Sequence, residues 1–249
     1  TPVLVEEVIS LLALEPGMNV VDATVGDGGH TRRVLEATAP TGKVLALDAD
    51  PESLLRAKHF LDDKSDRVVF VRTNFTNLPA VVAEKKFHQI RGIIFDLGWS
   101  SQQFAERGRG FSFLSDEPLD MRYMQTPESA TAADILNEKK EDELEKIFNE
   151  YAEERLSKEI AKAIIQERKK QSIRTTDQMI QLILAVYRQK LKTKKEIPWV
   201  GGLHPATKVF QALRIAVNVE LGALRLGLQQ AIDVLEPGGR VAVISFHSL

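Results

Sequence analysis

The segment DATVGDGG, residues 22–29, places a carboxylate and three glycines directly after an apolar run. Asp22, Gly26 and Gly28 have the spacing acid-x-x-x-Gly-x-Gly. Glycines let a ligand approach the backbone closely, and a carboxylate stabilises a positive charge near it. The segment therefore predicts a loop for a ligand with an amino-acid end or another cationic group.

Two phosphate-binding loops are the alternatives at this position. A dinucleotide fingerprint has the spacing G-x-G-x-x-G, but Thr31 stands where its third glycine would be. The lysine of a P-loop is also absent, and Asp27 would repel a pyrophosphate. We therefore expect S-adenosylmethionine (SAM), whose ammonium and sulfonium groups are cationic and which carries no phosphate. An NAD-dependent enzyme is kept as a rival.

Two further residues predict contacts with a nucleoside. Asp48 ends the second apolar run, where a carboxylate accepts the ribose hydroxyls of NAD or SAM. Phe75 follows the third apolar run, where its ring can pack on an adenine or simply belong to the core. The sequence favours neither interpretation of Phe75.

The segment DLGWSSQQ, residues 96–103, follows the fourth apolar run and supplies candidates for the reacting end. Methyl transfer needs a nucleophile held in line and a group that accepts its proton. Asp96, Ser100 and Ser101 can accept hydrogen bonds from an exocyclic base amine, whose lone pair is delocalised into the ring. Gln103 can contact the cofactor or the base.

The composition narrows the chemistry. The 249 residues include no cysteine, which excludes disulfides, thiolate metal sites and the cysteine nucleophile used to methylate C5 of a pyrimidine. Methylation at nitrogen or oxygen remains. The five histidines show no metal-ligand spacing, so we expect no metal. The net charge of -2 gives no overall attraction to nucleic acid, and no apolar run predicts a membrane span.

The elements that position these residues alternate along the chain. Four apolar runs separated by helical patterns predict a mostly parallel sheet in an α/β domain. The runs are residues 19–25, 43–50, 67–74 and 90–98. A stretch of roughly 100 residues without a strand pattern follows, before a fifth strand at 236–246.

The strand-free stretch predicts an inserted all-α domain between strands four and five. The predicted boundaries are 1–104 for the first part of the α/β domain, 105–203 for the insertion and 204–249 for the second part. A helical pattern covers Ala206 to Leu235, and we expect it to break near Gly222 because glycine disfavours helix interiors.

Six segments together resemble the ribosomal RNA small-subunit methyltransferase H family over essentially the whole chain. They are DATVGDGGHT, DLGWSSQQF, RGRGFSF, PLDMR, HPATKVFQALRIAVNVEL and GGRVAVISFHSL. The resemblance implies a Rossmann-like, SAM-dependent methyltransferase domain that methylates N4 of a cytidine in bacterial 16S rRNA, and a mitochondrial relative acts on the organelle's small-subunit rRNA. It also implies cofactor contacts at Gly28, Gly29, His30, Asp48, Phe75, Asp96 and Gln103.

The sequence departs from the family pattern at two points. Trp99 stands where the family has a small aliphatic residue, and Gln102 where it has a proline. Beside the reacting end, Trp99 can either stack on the target base or only fill space. The family pattern continues beyond FHSL, so we expect the C-terminal strand segment to be missing from this chain.

The expected function is SAM-dependent methylation of the N4 amine of a cytidine in 16S-type ribosomal RNA. Two alternatives stay open, a ribosome-assembly factor that binds RNA with weak or lost methyltransferase activity and a small-molecule O-methyltransferase. The expected partner is small-subunit rRNA or the assembled small subunit, without a membrane, and a homodimer is left open. The expected location is the bacterial cytoplasm, with the mitochondrial matrix as the alternative.

Ten residues are candidates for contact with RNA. The run from Arg168 to Lys195 is locally basic, which indicates either a solvated helix face or contact with phosphates. The candidates are Trp99, Arg107, Arg109, Arg122, Arg168, Lys169, Lys170, His204, Lys208 and Arg214.

Overall fold

The computed structural model describes residues 2–98, 108–112, 115–124, 126, 129–193 and 204–246. The chain divides into two compact units, residues 1–100 with 221–249 and residues 101–220. This division differs from the predicted domain boundaries over residues 101–104 and 204–220, and those predicted boundaries stay a prediction.

The first unit contains a parallel sheet of five strands. They are β1 (Asn19–Asp22), β2 (Val44–Asp48), β3 (Val68–Arg72), β4 (Ile90–Leu97) and β5 (Arg240–Ser245). Their order is β3-β2-β1-β4-β5, and every neighbouring pair is parallel. All five predicted strands are therefore confirmed, with shorter bounds. The chain order reverses between β1 and β4, and ligands bind at such switch points of α/β sheets.

Ten helices are described. They are α1 (Val5–Leu12), α2 (Gly29–Ala37), α3 (Pro51–Phe60), α4 (Leu78–Lys85), α5 (Ala132–Glu138), α6 (Glu141–Ala152), α7 (Ser157–Glu167), α8 (Thr176–Leu191), α9 (Thr207–Asn218) and α10 (Glu220–Val234). A 3-10 stretch with a kink at Lys64 covers Asp62–Arg67, and a shorter 3-10 segment covers Phe75–Asn77. Among the described residues, none of these helices is both long and apolar enough to cross a bilayer.

Both faces of the sheet are covered by apolar side chains. Val20 on β1 belongs to one cluster with residues of α1, α2 and α3, whereas Val21 belongs to a second cluster with residues of α4 and α10. Successive strand residues point to opposite faces, so a sheet covered on both sides needs continuous apolar strands. Helix α1 is absent from the predicted elements because its eight residues are fewer than a helical pattern needs to be recognised, and it packs through Val8 and Leu12.

The described residues of the second unit form helices α5 to α9 and one isolated bridge between Pro118 and Thr175. Local side chains define where these helices begin. Thr131 and Thr175 each accept a hydrogen bond from the backbone three residues later, and that later side chain returns a bond to the cap. Such capping boxes satisfy the unpaired N–H groups at a helix start.

The predicted helix break is present near Gly222, but not at the glycine itself. The break lies at Val219, whose φ of 50° is in the left-handed region, and α10 continues through Gly222. Side chains on both sides of Val219 are fixed within the second unit. Asn218 donates to the carbonyl of Met121, and Glu220 pairs with Arg214. These contacts, and not glycine flexibility, set the position of the break.

Candidate active site at the carboxyl edge of the sheet

Three of the predicted carboxylates lie at the carboxyl ends of neighbouring strands. Asp22 ends β1 and is in register with Ala46 on β2 and Ile94 on β4. Asp48 and Asp96 therefore lie two residues further along their strands, on either side of β1. The parallel sheet brings the three side chains to one edge, as expected from their positions after apolar runs.

Asp22 holds the glycine loop and the start of α2 through two hydrogen bonds. Its Oδ2 accepts a 2.6 Å hydrogen bond from Oγ1 of Thr31, and its Oδ1 accepts from the backbone N–H of Thr24 at 3.3 Å. Burial raises the pKa of Asp22, while the Thr31 hydroxyl and the nearby His30 act against that shift. The carboxylate thus ties the loop and the start of α2 to the end of β1, and its contact with the cofactor stays a prediction.

The glycines of the loop are required by its backbone. Gly28 has a φ of 88° and directly precedes α2, a conformation that favours glycine. A Cβ on Gly28 would lie 3.0 Å from Cδ1 of Leu61, so a side chain would also crowd that residue. The backbone N–H of Gly26 points at the sheet edge and donates to Oδ2 of Asp48 at 2.9 Å.

Asp48 is held by backbone donors on both oxygens. Besides the bond from Gly26, its Oδ1 accepts from the backbone N–H of Asp50 at 2.8 Å. Each carboxylate oxygen has two lone pairs, so an acceptor position remains on each for a ribose hydroxyl. Burial raises the pKa of Asp48 to about 6 despite these two hydrogen bonds. Asp50, and not Asp48, caps α3 by accepting from the N–H of Glu52.

Asp96 and His30 form a pair with unsatisfied polar atoms. Nε2 of His30 lies 3.4 Å from Oδ2 of Asp96, and the side chains are 6% and 24% exposed. Three buried atoms of this pair have no hydrogen-bond partner among the described residues. They are Nδ1 and Nε2 of His30 and Oδ1 of Asp96. Buried polar atoms are normally paired, so these three atoms point to a bound group that supplies the missing contacts.

Phe75 lies between the end of β3 and the body of α10. Its ring meets that of Phe95 edge-on, with centroids 5.3 Å apart, and a Cβ on Gly227 would lie only 2.6 Å from the ring. The residue is nevertheless half-buried. Phe75 is therefore part of the core on two sides, and its contact with an adenine stays a prediction.

Several predicted site residues lie outside the described part of the chain. They are Trp99, Ser100, Ser101, Gln103 and Arg107. Their roles at the reacting end, the cofactor and the RNA stay predictions.

Three of the arginines predicted to contact RNA are engaged inside the second unit. Arg122 pairs with Asp120 at 2.7 Å, Arg168 donates to the carbonyls of Leu136 and Lys139, and Arg214 forms two hydrogen bonds with Glu220. These guanidinium groups hold the fold together. Their contact with phosphates stays a prediction that the internal bonds do not favour.

The other described RNA candidates differ in exposure. Lys169 is exposed, as is Lys170, which pairs with Glu167 at 3.0 Å. Lys208 donates to the carbonyl of Glu153, Arg109 lies over the ring of Phe111, and Nδ1 of His204 accepts from the N–H of Ala206. Lys169 and Lys170 are therefore the candidates whose charge a phosphate could reach most readily.

Two contacts that shape the site were not predicted from the sequence. Oγ1 of Thr24 accepts the backbone N–H of Asp96 at 2.7 Å and so links the ends of β1 and β4. Asp27 pairs with Arg56 on α3 at 2.6 Å, which offsets the charge that was expected to repel a pyrophosphate. The loop therefore repels a phosphate less than the sequence indicates. The pattern of the sequence contains no signal for either contact.

The described residues contain no group of three histidine, aspartate or glutamate side chains that could hold a metal ion.

The chain matches the MraW methylase family over residues 1–249. Three similar curated proteins are each named "Ribosomal RNA small subunit methyltransferase H". That of Symbiobacterium thermophilum is 44% identical over 100% of this chain and 76% of that protein. Those of Syntrophotalea carbinolica and Heliobacterium mobile are both 46% identical, over 99% and 100% of this chain and 76% and 77% of those proteins.

Proposed function

The chain belongs to the MraW methylase family, and from that premise we propose that it transfers the methyl group of SAM to the N4 amine of a cytidine in small-subunit ribosomal RNA. One observation carries the proposal to particular atoms. Oδ1 of Asp96 is buried without a partner among the described residues, at the edge of the sheet where α/β proteins bind their ligands.

The groups at this edge fit SAM. Asp48 has an acceptor position on each oxygen for the ribose hydroxyls, and Gly26 and Gly28 leave the backbone accessible. When bound, SAM supplies a methyl group on a positively charged sulfur, and an amine that bonds to the methyl carbon displaces the sulfur. A carboxylate at Asp22, held by the Thr31 hydroxyl, favours a positive charge at this edge.

Asp96 is the residue we assign to the target amine. An exocyclic cytosine amine is a weak nucleophile because its lone pair is delocalised into the ring. A hydrogen bond from the amine to Oδ1 of Asp96 raises its electron density, and the carboxylate accepts the proton that the nitrogen loses. Thr24 fixes the backbone of Asp96, and His30 lies against Oδ2 and so favours Oδ1 as the acceptor.

The substrate class rests on the relatives and on the exposed cations. The similar curated proteins carry the name of a small-subunit rRNA methyltransferase, and Lys169 and Lys170 offer exposed charges for phosphates. The RNA-binding factor without catalysis and the small-molecule O-methyltransferase are not favoured. We propose the bacterial cytoplasm as the location, because these relatives are bacterial proteins. The assembled subunit as substrate, and a homodimer, stay predictions.

The test is transfer from methyl-labelled SAM to small subunits isolated from a bacterial strain that lacks the modification. The RNA is digested and its nucleosides are identified by mass spectrometry, with protein-free 16S rRNA assayed in parallel. We expect labelled N4-methylcytidine from at least one of the two substrates.

A labelled product of another kind would contradict the assigned amine. No product, in a sample where calorimetry shows SAM binding, would contradict the assigned substrate. Comparing the two substrates also decides between naked rRNA and the assembled subunit.

A further inference from the structure

A closed path of hydrogen bonds runs from the glycine loop through α3 and back to the same loop. Asp27 accepts from Nε of Arg56 at 2.6 Å, and Nη2 of Arg56 donates to Oγ of Ser53 at 3.1 Å. Oγ of Ser53 donates to Asp50 at 3.2 Å. The N–H of Asp50 and the N–H of Gly26 then bind the two oxygens of Asp48. Because residues 26 and 27 are adjacent, the path is a ring.

Arg56 is the member of this ring that joins the loop to the helix. It uses two nitrogens of one planar guanidinium, one for the loop and one for the first turns of α3. Such a planar fork fixes direction as well as charge, which a lysine cannot do. Arg56 and Asp27 are 28% and 35% exposed, so the pair is partly protected from water.

We infer that Arg56 is a positioning residue for the cofactor: through Asp27 and Ser53 it holds the N–H of Gly26 against Asp48 and so shapes the loop for the adenosyl group. The inference rests on the proposed function, because it assigns SAM to this loop. It adds two residues, Arg56 and Asp27, to the machinery that binds the cofactor.

A change in the pKa of Asp48 distinguishes this positioning role of Arg56 from a merely structural one. The N–H groups of Gly26 and Asp50 hold the pKa of Asp48 down, whereas burial and the carboxylates of Asp50 and Asp22, which face it, raise that pKa. If the loop moves away from Asp48, the bond from Gly26 weakens and the carboxylate protonates at higher pH. Affinity for SAM is then lost at a higher pH than in the wild type.

The experiment is a double-mutant cycle on SAM affinity. Arg56→Met, Asp27→Asn and the double variant are titrated with SAM in a calorimeter, and thermal unfolding is recorded for each. Arg33→Met is the control, because Arg33 also forms ion pairs, with Glu6 and Glu36, but at an exposed position of α2.

We expect Arg56→Met to weaken SAM binding about tenfold, the size of one lost charge-assisted hydrogen bond. The double variant should lose no more SAM affinity than the single variant with the larger loss, because both changes break the same ring. The pH midpoint of SAM affinity should rise in Arg56→Met, and Arg33→Met should match the wild type in both measurements. If Arg56→Met does not fold, Asp27→Asn alone carries the same expectation of weaker binding and a raised midpoint.

Wild-type affinity in Arg56→Met, or in Asp27→Asn where that variant decides, would overturn the inference. The inference would also be overturned if the losses of SAM affinity in the two single variants multiplied in the double variant, or if the pH midpoint of SAM affinity stayed unchanged. A wild type that fails to bind SAM would instead contradict the proposed function, so the two failures are distinguishable.

Discussion

Nε2 of His30 lies 3.4 Å from Oδ2 of Asp96, in a setting where neither ring nitrogen has a hydrogen-bond partner among the described residues. Leaving a buried donor or acceptor unsatisfied costs about 1–3 kcal/mol of folding free energy. A ligand that completes these contacts is the physical reason for tolerating that cost. The pair is therefore better suited to a liganded protein than to a stable empty one.

Replacing His30 by leucine should stabilise the ligand-free protein and impair its function. The change removes two unsatisfied nitrogens from a buried position. We expect the midpoint of thermal unfolding to rise by about 2–4 °C, the equivalent of 1 kcal/mol in a chain of this size. Methyl transfer should fall because Oδ2 of Asp96 loses its neighbour. His59→Leu, at an exposed position on α3, is the control. A lower midpoint in His30→Leu than in the control would mean that the imidazole already has its partners.

Affinity for SAM should depend on pH through Asp48. Its pKa is raised to about 6, so the ionised form that accepts the ribose hydroxyls prevails above that pH. Below it, affinity should weaken by up to about tenfold per pH unit, the limit for one proton. The measurement is the SAM dissociation constant between pH 5 and pH 8.

The matched variant for this prediction is Asp48→Asn, which is isosteric and does not titrate. It should bind SAM more weakly at pH 8 and show little change down to pH 5. The sign for stability is opposite: since the folded pKa exceeds the unfolded one, the fold loses stability as pH rises from 3.8 to about 6, and no further loss from Asp48 follows above that pH. Equal pH dependence in Asp48→Asn would assign the titration to another group.

Adding a methyl group at Gly227 should displace the ring of Phe75. A Cβ there would lie 2.6 Å from Cδ2 and 3.0 Å from Cε2 of that ring. If Phe75 contacts the adenine, Gly227→Ala should weaken SAM binding. The same substitution should change SAM affinity little in a protein that already carries Phe75→Leu. Gly222→Ala, at an exposed position of the same helix, is the control and should stabilise α10 slightly. Normal SAM affinity with a lowered unfolding midpoint would restrict Phe75 to the core.

Arg214 and Lys169 should respond differently to substitution. Arg214 is 12% exposed and binds both oxygens of Glu220, which also accepts from the hydroxyl of Tyr123. Arg214→Met should destabilise the protein by about 2–3 kcal/mol, because it leaves a mostly buried carboxylate without its cation. Lys169→Ala should leave stability within about 0.5 kcal/mol and weaken RNA binding at low salt. Thermal unfolding and an RNA-binding titration compare the two. Equal stability of both variants would contradict the structural role of Arg214.

The sequence was sufficient for the framework of the site. The apolar runs 19–25, 43–50 and 90–98, which contain Asp22, Asp48 and Asp96, predict parallel strands, and parallel strands bring their carboxyl ends to one edge. The glycines of the loop were predicted from the same pattern, and Gly28 has the positive φ that such a loop needs.

The remaining contacts depend on geometry that the pattern does not encode. Asp27 and Arg56 are 29 residues apart, in a loop and on a helix, and no period relates them. The approach of His30 to Asp96 depends on where α2 begins relative to β4. The break at Val219 is set by two contacts. Asn218 binds Met121, which lies 97 residues away in the chain, and Glu220 binds Arg214 on the preceding helix.

The most direct test of the account is Asp96→Asn, which keeps the size of the side chain and removes the proton acceptor. SAM affinity is measured by calorimetry and methyl transfer to unmodified small subunits by the appearance of N4-methylcytidine, with Asp233→Asn on the exposed side of α10 as the control. We predict that transfer slows by about 100-fold or more, while SAM affinity stays within about threefold of the wild type. Transfer at the wild-type rate in Asp96→Asn would contradict the account, because the buried oxygen at its centre would then have no part in the reaction.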